Sequence, residues 1–130
     1  MNVRAFTESD LTEFNRWLAL RGMLPVQRSS LPRMGRIVPG VAAGFLMQTD
    51  TDRSFLEPLL TNPEAPPIQR NDALNEIVLS LVLLAGGIGS KSITALVSRD
   101  AESLISRGVS GFGFVRANLP AHVVLTKELT

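Results

Sequence analysis

Apolar residues recur at helical spacing in two long stretches of the chain. Near the N-terminus, Leu11, Phe14 and Leu18 follow one another at intervals of three and four residues, which places them on one face of a helix. Gly22 is typical of a helix end, so the pattern predicts a first helix of about 15 residues. A longer repeat of the same kind predicts a second, largely buried helix over residues 71–85.

Short apolar runs between turn residues predict strands, and capping residues mark where helices begin. Thr7, with Asp10 three residues later, resembles a capping box before the first helix. Ser98, followed by acidic residues, predicts a short third helix that ends at Gly108. The predicted strands cover residues 3–6, 33–38, 41–49, 54–62, 93–97, 112–116 and 121–127.

The predicted order of elements is therefore β-α-β-β-β-α-β-α-β-β. This order belongs to the mixed α/β class, with one sheet and helices that can cover both of its faces. Pro58 interrupts the fourth strand, and proline has no amide hydrogen for a sheet. The strand must therefore lie at an edge, be bulged, or lack hydrogen bonds on one side at that point. The length of 130 residues predicts a single domain spanning 1–130.

The composition excludes several kinds of chemistry. The chain has no Cys, no Tyr and one His, which excludes disulfides, thiolate metal sites, a cysteine nucleophile and a metal site made of two histidines from one chain. The net charge of +1 provides no broad field that would attract nucleic acid. Catalysis would have to use carboxylates, hydroxyls, amides, the single imidazole or the backbone.

The sequence also indicates where the protein is found. The first six residues are too polar and too few for a secretion signal. The most apolar stretch, residues 77–88, is shorter than the roughly 20 residues that a membrane span requires. We therefore expect a cytoplasmic protein that binds neither membrane nor nucleic acid.

The order of elements resembles that of the GCN5-related N-acetyltransferase (GNAT) superfamily over almost the whole chain, most strongly over residues 55–129. In that family the fourth strand leads into a helix with the motif Gln/Arg-x-x-Gly-x-Gly/Ala, whose backbone amides bind the pyrophosphate of acetyl-coenzyme A (acetyl-CoA). Here Arg70 matches the first position, whereas Ala73 and Asn75 replace the small residues and Asp72 adds a negative charge. In length and in this divergent loop the chain also resembles small acetyltransferase-like proteins of bacteriophages.

The resemblance implies a mostly antiparallel sheet whose fourth and fifth strands splay apart, which would accommodate Pro58. Further along, residues 98–101 stand in place of the family's Asn-x-x-Ala, and its usual tyrosine falls at Leu104 or Ile105. A homodimer is a further expectation. The residues that would bind acetyl-CoA by this resemblance are Leu59, Leu60, Thr61, Arg70, Asn71, Asp72, Ala73, Leu74, Asn75 and Ser98.

The resulting hypothesis is an N-acetyltransferase in which a small-molecule or protein amine attacks the thioester directly within a ternary complex. Glu57, on the fourth strand, is the candidate general base. Without a tyrosine, solvent or a backbone group would protonate the leaving thiolate. Trp17 belongs either to the core or to an acceptor cleft.

The alternative hypothesis is an acetyltransferase-like fold that serves as a protein-binding or structural protein. The missing glycines, the missing tyrosine and Asp72 favour it. We favour the enzyme because Arg70, Pro58 and the spacing from strand to helix remain.

Overall fold

The computed structural model describes residues 1–98, 102–118 and 122–129. Ten elements follow one another in the predicted order, with short 3-10 turns at Glu8–Asp10 and Arg28–Ser30. The helices are α1 (Leu11–Leu20), α2 (Pro67–Gly87) and α3 (Glu102–Gly111). The strands are β1 (Arg4–Ala5), β2 (Met34–Val38), β3 (Ala42–Gln48), β4 (Arg53–Thr61), β5 (Ser92–Ser98), β6 (Val115–Asn118) and β7 (His122–Glu128).

All seven strands form one sheet in the order β1-β2-β3-β4-β5-β7-β6. Every neighbouring pair is antiparallel except β4 and β5, which run parallel. The strands and helices therefore confirm the predicted fold class, a single mixed and mostly antiparallel sheet flanked by helices.

Two hydrophobic clusters cover the two faces of the sheet. Because side chains alternate along a strand, Ala42 and Leu46 of β3 join the cluster beneath α2, whereas Ala43 and Phe45 join the cluster beneath α1. The α1 cluster is aromatic at its centre, where the ring of Phe14 packs edge-on against the ring of Phe45 at a centroid distance of 5.7 Å. The sheet is thus the middle layer between α1 and α2.

The first helix ends where Gly22 predicts, but α1 has 10 residues instead of about 15, because Thr7 caps a 3-10 turn over Glu8–Asp10 that precedes it. The carboxylate of Asp10 accepts a hydrogen bond from the backbone N–H of Thr7 at 2.8 Å, and a 3-10 turn leads into α1. At the other end Gly22 has φ +72°, and the N–H of Met23 donates to the carbonyl of Leu18 at 2.9 Å. This pattern is a Schellman cap, which needs a residue with positive φ.

The second helix is longer than its apolar repeat predicts. It begins at Pro67 instead of residue 71 and ends at Gly87 instead of residue 85. Pro67 occupies the first turn, where a proline has a suitable φ and its missing N–H would have had no helical partner. The proline-rich segment over residues 63–67 predicts a loop, and residues 63–66 do form one, but its last residue, Pro67, already belongs to the helix.

The end of the third helix also differs from the prediction. Gly108 is not its end, because α3 continues to Gly111 and β6 begins at Val115 instead of residue 112. A Cβ atom at Gly108 would lie 2.8 Å from Cδ1 of Leu125, so the glycine allows the helix to lie close against β7. The other strand boundaries lie within two residues of the predictions. The predicted loop residues Leu119 and Pro120, and the start of the last predicted strand at Ala121, lie outside the described residues.

No helix in the described part of the chain is long and apolar enough to cross a membrane.

Candidate active site

The two parallel strands at the centre of the sheet separate part-way along their length. β4 and β5 pair from Arg53 opposite Ser92 to Leu56 opposite Ala95. Beyond that point β4 pairs only with β3, and β5 pairs only with β7. A gap therefore opens in the sheet, and the backbone groups of residues 57–61 that point toward β5 have no strand to pair with.

A β-bulge lies where the gap begins. Leu56 pairs with Leu46, and Leu59 pairs with Gly44, so Glu57 and Pro58 together oppose Phe45. The Glu57–Pro58 peptide bond is cis. Two of the three settings predicted for Pro58 are therefore found in the strand pairing: a β-bulge, and a strand that is not paired on one side at that point.

A cavity of about 560 Å³ occupies this gap and reaches both faces of the sheet. Its floor is the second half of β4, from Leu56 to Thr61, and its walls come from all three helices and the end of β5. Glu57 is exposed and lines the cavity. Among the residues predicted to bind the cofactor, those that line this cavity are Leu59, Leu60, Thr61 and Leu74.

A second cavity, of about 330 Å³, adjoins the first and shares Thr61, Leu74 and Leu104 with it. Arg70, Asn71 and Arg107 complete its polar side. The Nη2 atom of Arg107 donates to the Oδ1 atom of Asn71 at 3.4 Å. The Nε atoms of Arg70 and Arg107 are buried and have no hydrogen-bond partner among the described residues, and the described lining of this cavity contains no carboxylate. The second cavity is therefore cationic.

A third arginine lies at the junction of the two cavities. Nη2 of Arg21 donates to the carbonyl of Thr61 at 3.0 Å and to its hydroxyl at 2.6 Å. Burial lowers the pKa of Arg21, and the positive charge of Arg70 lowers it further. Arg21 thus fixes the end of α1 over the end of β4 and adds to the positive charge around Thr61.

Neither Arg21 nor Arg107 was among the predicted site residues. Arg107 lies three residues after Leu104, which puts both on one face of α3. That spacing was the only signal for Arg107 in the sequence. Arg21 gave none, because only the tertiary fold brings the end of α1 to Thr61.

The helix start at Pro67 changes the expected role of residues 71–75. The backbone amides of residues 71–75 lie inside α2, where they hydrogen-bond to carbonyls of the same helix. The amides without helical partners are those of Ile68 and Gln69 in the first turn. Ala73 is fully buried in the core. Asp72 is exposed and lines neither cavity, and Oδ1 of Asn75 is buried without a hydrogen-bond partner.

Two further expectations concern the end of β5. Ser98 is the last residue of this strand, opposite His122 in the register. Arg99, Asp100 and Ala101, which complete the segment compared with Asn-x-x-Ala, lie outside the described residues.

The structure also decides two alternatives that the sequence left open. Trp17 is fully buried, lines neither cavity and donates its indole N–H to Glu13 at 2.9 Å, so it belongs to the core. Leu104 lines both cavities, whereas Ile105 is buried and lines neither. Leu104 is therefore the side chain that faces the gap from α3.

No protein-family model and no curated protein matches the sequence. Solved structures match it over its whole length. A probable acetyltransferase from Staphylococcus epidermidis superposes with a TM-score of 0.71, at 12% identity over 99% of both chains. The chain has the fold of the GNAT acetyltransferases.

Two other solved structures with this fold were crystallised with coenzyme A. Rv2747 from Mycobacterium tuberculosis, in complex with CoA, superposes with a TM-score of 0.76 at 12% identity and 100% coverage of both chains. N-acetylglutamate synthase from Neisseria gonorrhoeae, complexed with coenzyme A and L-arginine, gives 0.69 at 18% identity. That alignment covers 98% of this chain and 33% of the synthase, so the present GNAT fold corresponds to one part of the larger enzyme.

Proposed function

We propose that the chain is an N-acetyltransferase that uses acetyl-CoA as its acyl donor. The observation that carries the proposal is the gap between β4 and β5, which has a carboxylate where it opens and a cationic cavity where β4 ends. Two structures of the same fold that contain CoA support this choice of donor.

The residues around the gap suit a long ligand with phosphates at one end. Backbone groups of β4 that lack a β5 partner can hydrogen-bond an extended amide-containing chain, as a neighbouring strand would. At the end of β4, Arg70 and Arg107 offer guanidinium groups whose Nε donors have no partner in the described part of the chain. Guanidinium groups bind phosphate through charge-assisted hydrogen bonds. The arginine side chains thus take over the role that the resemblance assigned to amides within residues 71–75.

The carboxylate of Glu57 is placed to act as the general base. It lines the cavity at the bulge, where the strands separate, and it is open to solvent. There it can take a proton from an ammonium group, directly or through water, and so produce the neutral amine that a thioester accepts. When bound, acetyl-CoA would supply the activated acetyl group. The apolar side chain of Leu104 cannot donate a proton, so the leaving thiolate takes its proton from solvent.

Calorimetric titration with acetyl-CoA tests the proposal, and two variants test the position of the phosphates. Arg70→Ala and Arg107→Ala should each weaken acetyl-CoA binding by roughly tenfold, since each removes a charge-assisted donor. Neither change should affect the binding of S-acetylpantetheine, which has the same pantetheine arm and thioester as acetyl-CoA but no phosphates. Arg33→Ala is the matched control, because Arg33 is exposed and lines neither cavity of the gap.

The absence of any binding heat or thermal shift at millimolar acetyl-CoA would refute the proposal and leave the protein-binding alternative. An equal loss for acetyl-CoA and S-acetylpantetheine in the arginine variants would show that the phosphates do not lie in the second cavity.

A further inference from the structure

One wall of the larger cavity has no part in the proposed binding of the donor. Leu74 and Leu104 face the gap from α2 and α3, beside the cationic cavity. The opposite wall belongs to α1 and the loop that follows it. The apolar side chains of this second wall, which we call the α1 wall, are Phe14, Leu18, Met23, Val26 and Leu31.

Arg21 apart, the described residues that line the cavity on this side are apolar, and the rim of the α1 wall is open. Phe14 and Leu18 are buried, whereas Met23 at the rim is 54% exposed. Beside Met23 lie two more exposed apolar residues, Leu20 at 47% and Leu24 at 85%. Loop residues that are both apolar and exposed next to a cavity are typical of a surface that binds an apolar group.

The charges around the cavity are few. In the part of the lining that the structure describes, Glu57 is the one carboxylate and Arg21 is the one cationic residue. Arg21 is directed to Thr61, four residues along β4 from Glu57. A polycationic acceptor would need further carboxylates, and an acidic amino acid would need a cation close to Glu57. The described lining offers neither.

We infer that the acceptor is a primary amine that carries an apolar group close to its nitrogen. This inference rests on the proposed function. The apolar group packs against the α1 wall, which directs the amine toward Glu57 and the gap. The same wall removes water from the ammonium and lowers its pKa, which favours the neutral, nucleophilic form.

The transfer step balances without another reactant. An N–H proton passes from the ammonium to the carboxylate of Glu57 or to water, and the nitrogen lone pair then forms a bond to the thioester carbonyl carbon. The C–S bond breaks and its electron pair leaves with the sulfur. The thiolate gains a proton from solvent, and the product nitrogen loses its remaining extra proton to Glu57 or to water, which yields an amide and a thiol.

A matched pair of amines tests the inference after calorimetry has established that acetyl-CoA binds. L-leucinamide and glycinamide share the α-amine and the amide and differ in the isobutyl group. We expect kcat/KM for L-leucinamide to exceed that for glycinamide by at least tenfold, and to exceed those for L-glutamate and spermidine. Met23→Ser should reduce the L-leucinamide value three- to tenfold and so narrow its advantage over glycinamide, while acetyl-CoA affinity, which does not depend on the α1 wall, stays the same.

Met47→Ser is the control, since Met47 is also an exposed methionine, at 39%, and lies on β3 away from the larger cavity. Failure to bind acetyl-CoA would count against the proposed function itself. If acetyl-CoA binds, any one of three results would overturn the inference about the acceptor without contradicting acetyl-CoA binding. They are equal rates for L-leucinamide and glycinamide, preference for L-glutamate or spermidine, and no turnover of any of these amines.

Discussion

At the scale of single residues, Asp10 joins the first strand to the first helix. Its carboxylate accepts two hydrogen bonds from the guanidinium of Arg4, at 2.7 and 2.8 Å, and one from the N–H of Thr7. The hydrogen bonds from Arg4, and then that from Thr7, hold the pKa of Asp10 below its usual value. Because Asp10 is buried while Arg4 is partly exposed, solvent weakens this interaction without removing it.

We therefore expect Asp10→Asn to lower the free energy of unfolding at neutral pH by about 1 kcal/mol. A lowered pKa in the folded state contributes stability above the unfolded-state pKa, about 4, and that stability is lost as the pH falls through the folded value. The difference between wild type and variant should thus shrink in acid. Urea unfolding from pH 7 to pH 2 measures it, with Asp72→Asn on the exposed side of α2 as control. A difference that does not change with pH would contradict this account.

Glu57 is the residue on which the proposed chemistry depends. Glu57→Gln keeps the shape of the side chain but removes its ability to accept a proton. The rate of acetyl transfer should therefore fall at least 100-fold, which is the usual effect of removing a general base. Acetyl-CoA affinity should stay the same, since the phosphates would bind at the other end of β4. Steady-state rates and calorimetry on the same preparation separate the two effects.

Glu76→Gln provides the control for this substitution, because Glu76 is exposed on α2 and lines neither cavity. An unchanged rate in Glu57→Gln would remove Glu57 as the base, whereas a parallel loss of acetyl-CoA binding would assign it to the donor site.

At the scale of elements, the close approach of α2 to β3 holds the floor of the cavity in place. A Cβ atom at Gly44 would lie 2.7 Å from Cδ2 of Leu59 and 2.8 Å from Cγ2 of Ile77. Ile77 is fully buried and β-branched, so it cannot turn away easily. Leu59 lines the cavity, and Gly44 therefore controls both the packing of α2 and the position of β4.

We expect Gly44→Ala to lower stability by about 1–3 kcal/mol, as added volume in a packed core does, and to weaken acetyl-CoA binding by moving Leu59. Gly86→Ala is the control, because Gly86 lies inside α2 with open space around it. Alanine there should be neutral or slightly stabilising. Thermal unfolding of the two variants checks this prediction, and equal effects would show that the packing at Gly44 is not tight.

At the scale of the whole molecule, the sequence predicted the order of the elements but only part of the candidate site. Helical and strand periodicities are local, so each element of the sheet and each helix was expected close to its place. The start of α2 was harder to predict, because Pro67 suits both a loop and the first turn of a helix. The arginines around the second cavity could not be predicted as a group from local patterns. Arg21 follows the last residue of α1, whereas Arg70 and Arg107 lie on α2 and α3, and only the sheet between these helices brings the three arginines together.

The proposed function makes a prediction about the molecule as a whole that hydrogen exchange can measure. Bound acetyl-CoA should slow exchange at the amides of residues 57–61 that face the gap and at those of Ile68 and Gln69, since these groups lack partners in β5 or in the helix. S-acetylpantetheine should protect the β4 amides alone, because it lacks the phosphates that would reach α2. The amides of β2, which is paired on both sides, serve as the internal reference. Equal slowing across β2 and β4 would indicate general stabilisation by mass action and would contradict binding in the gap.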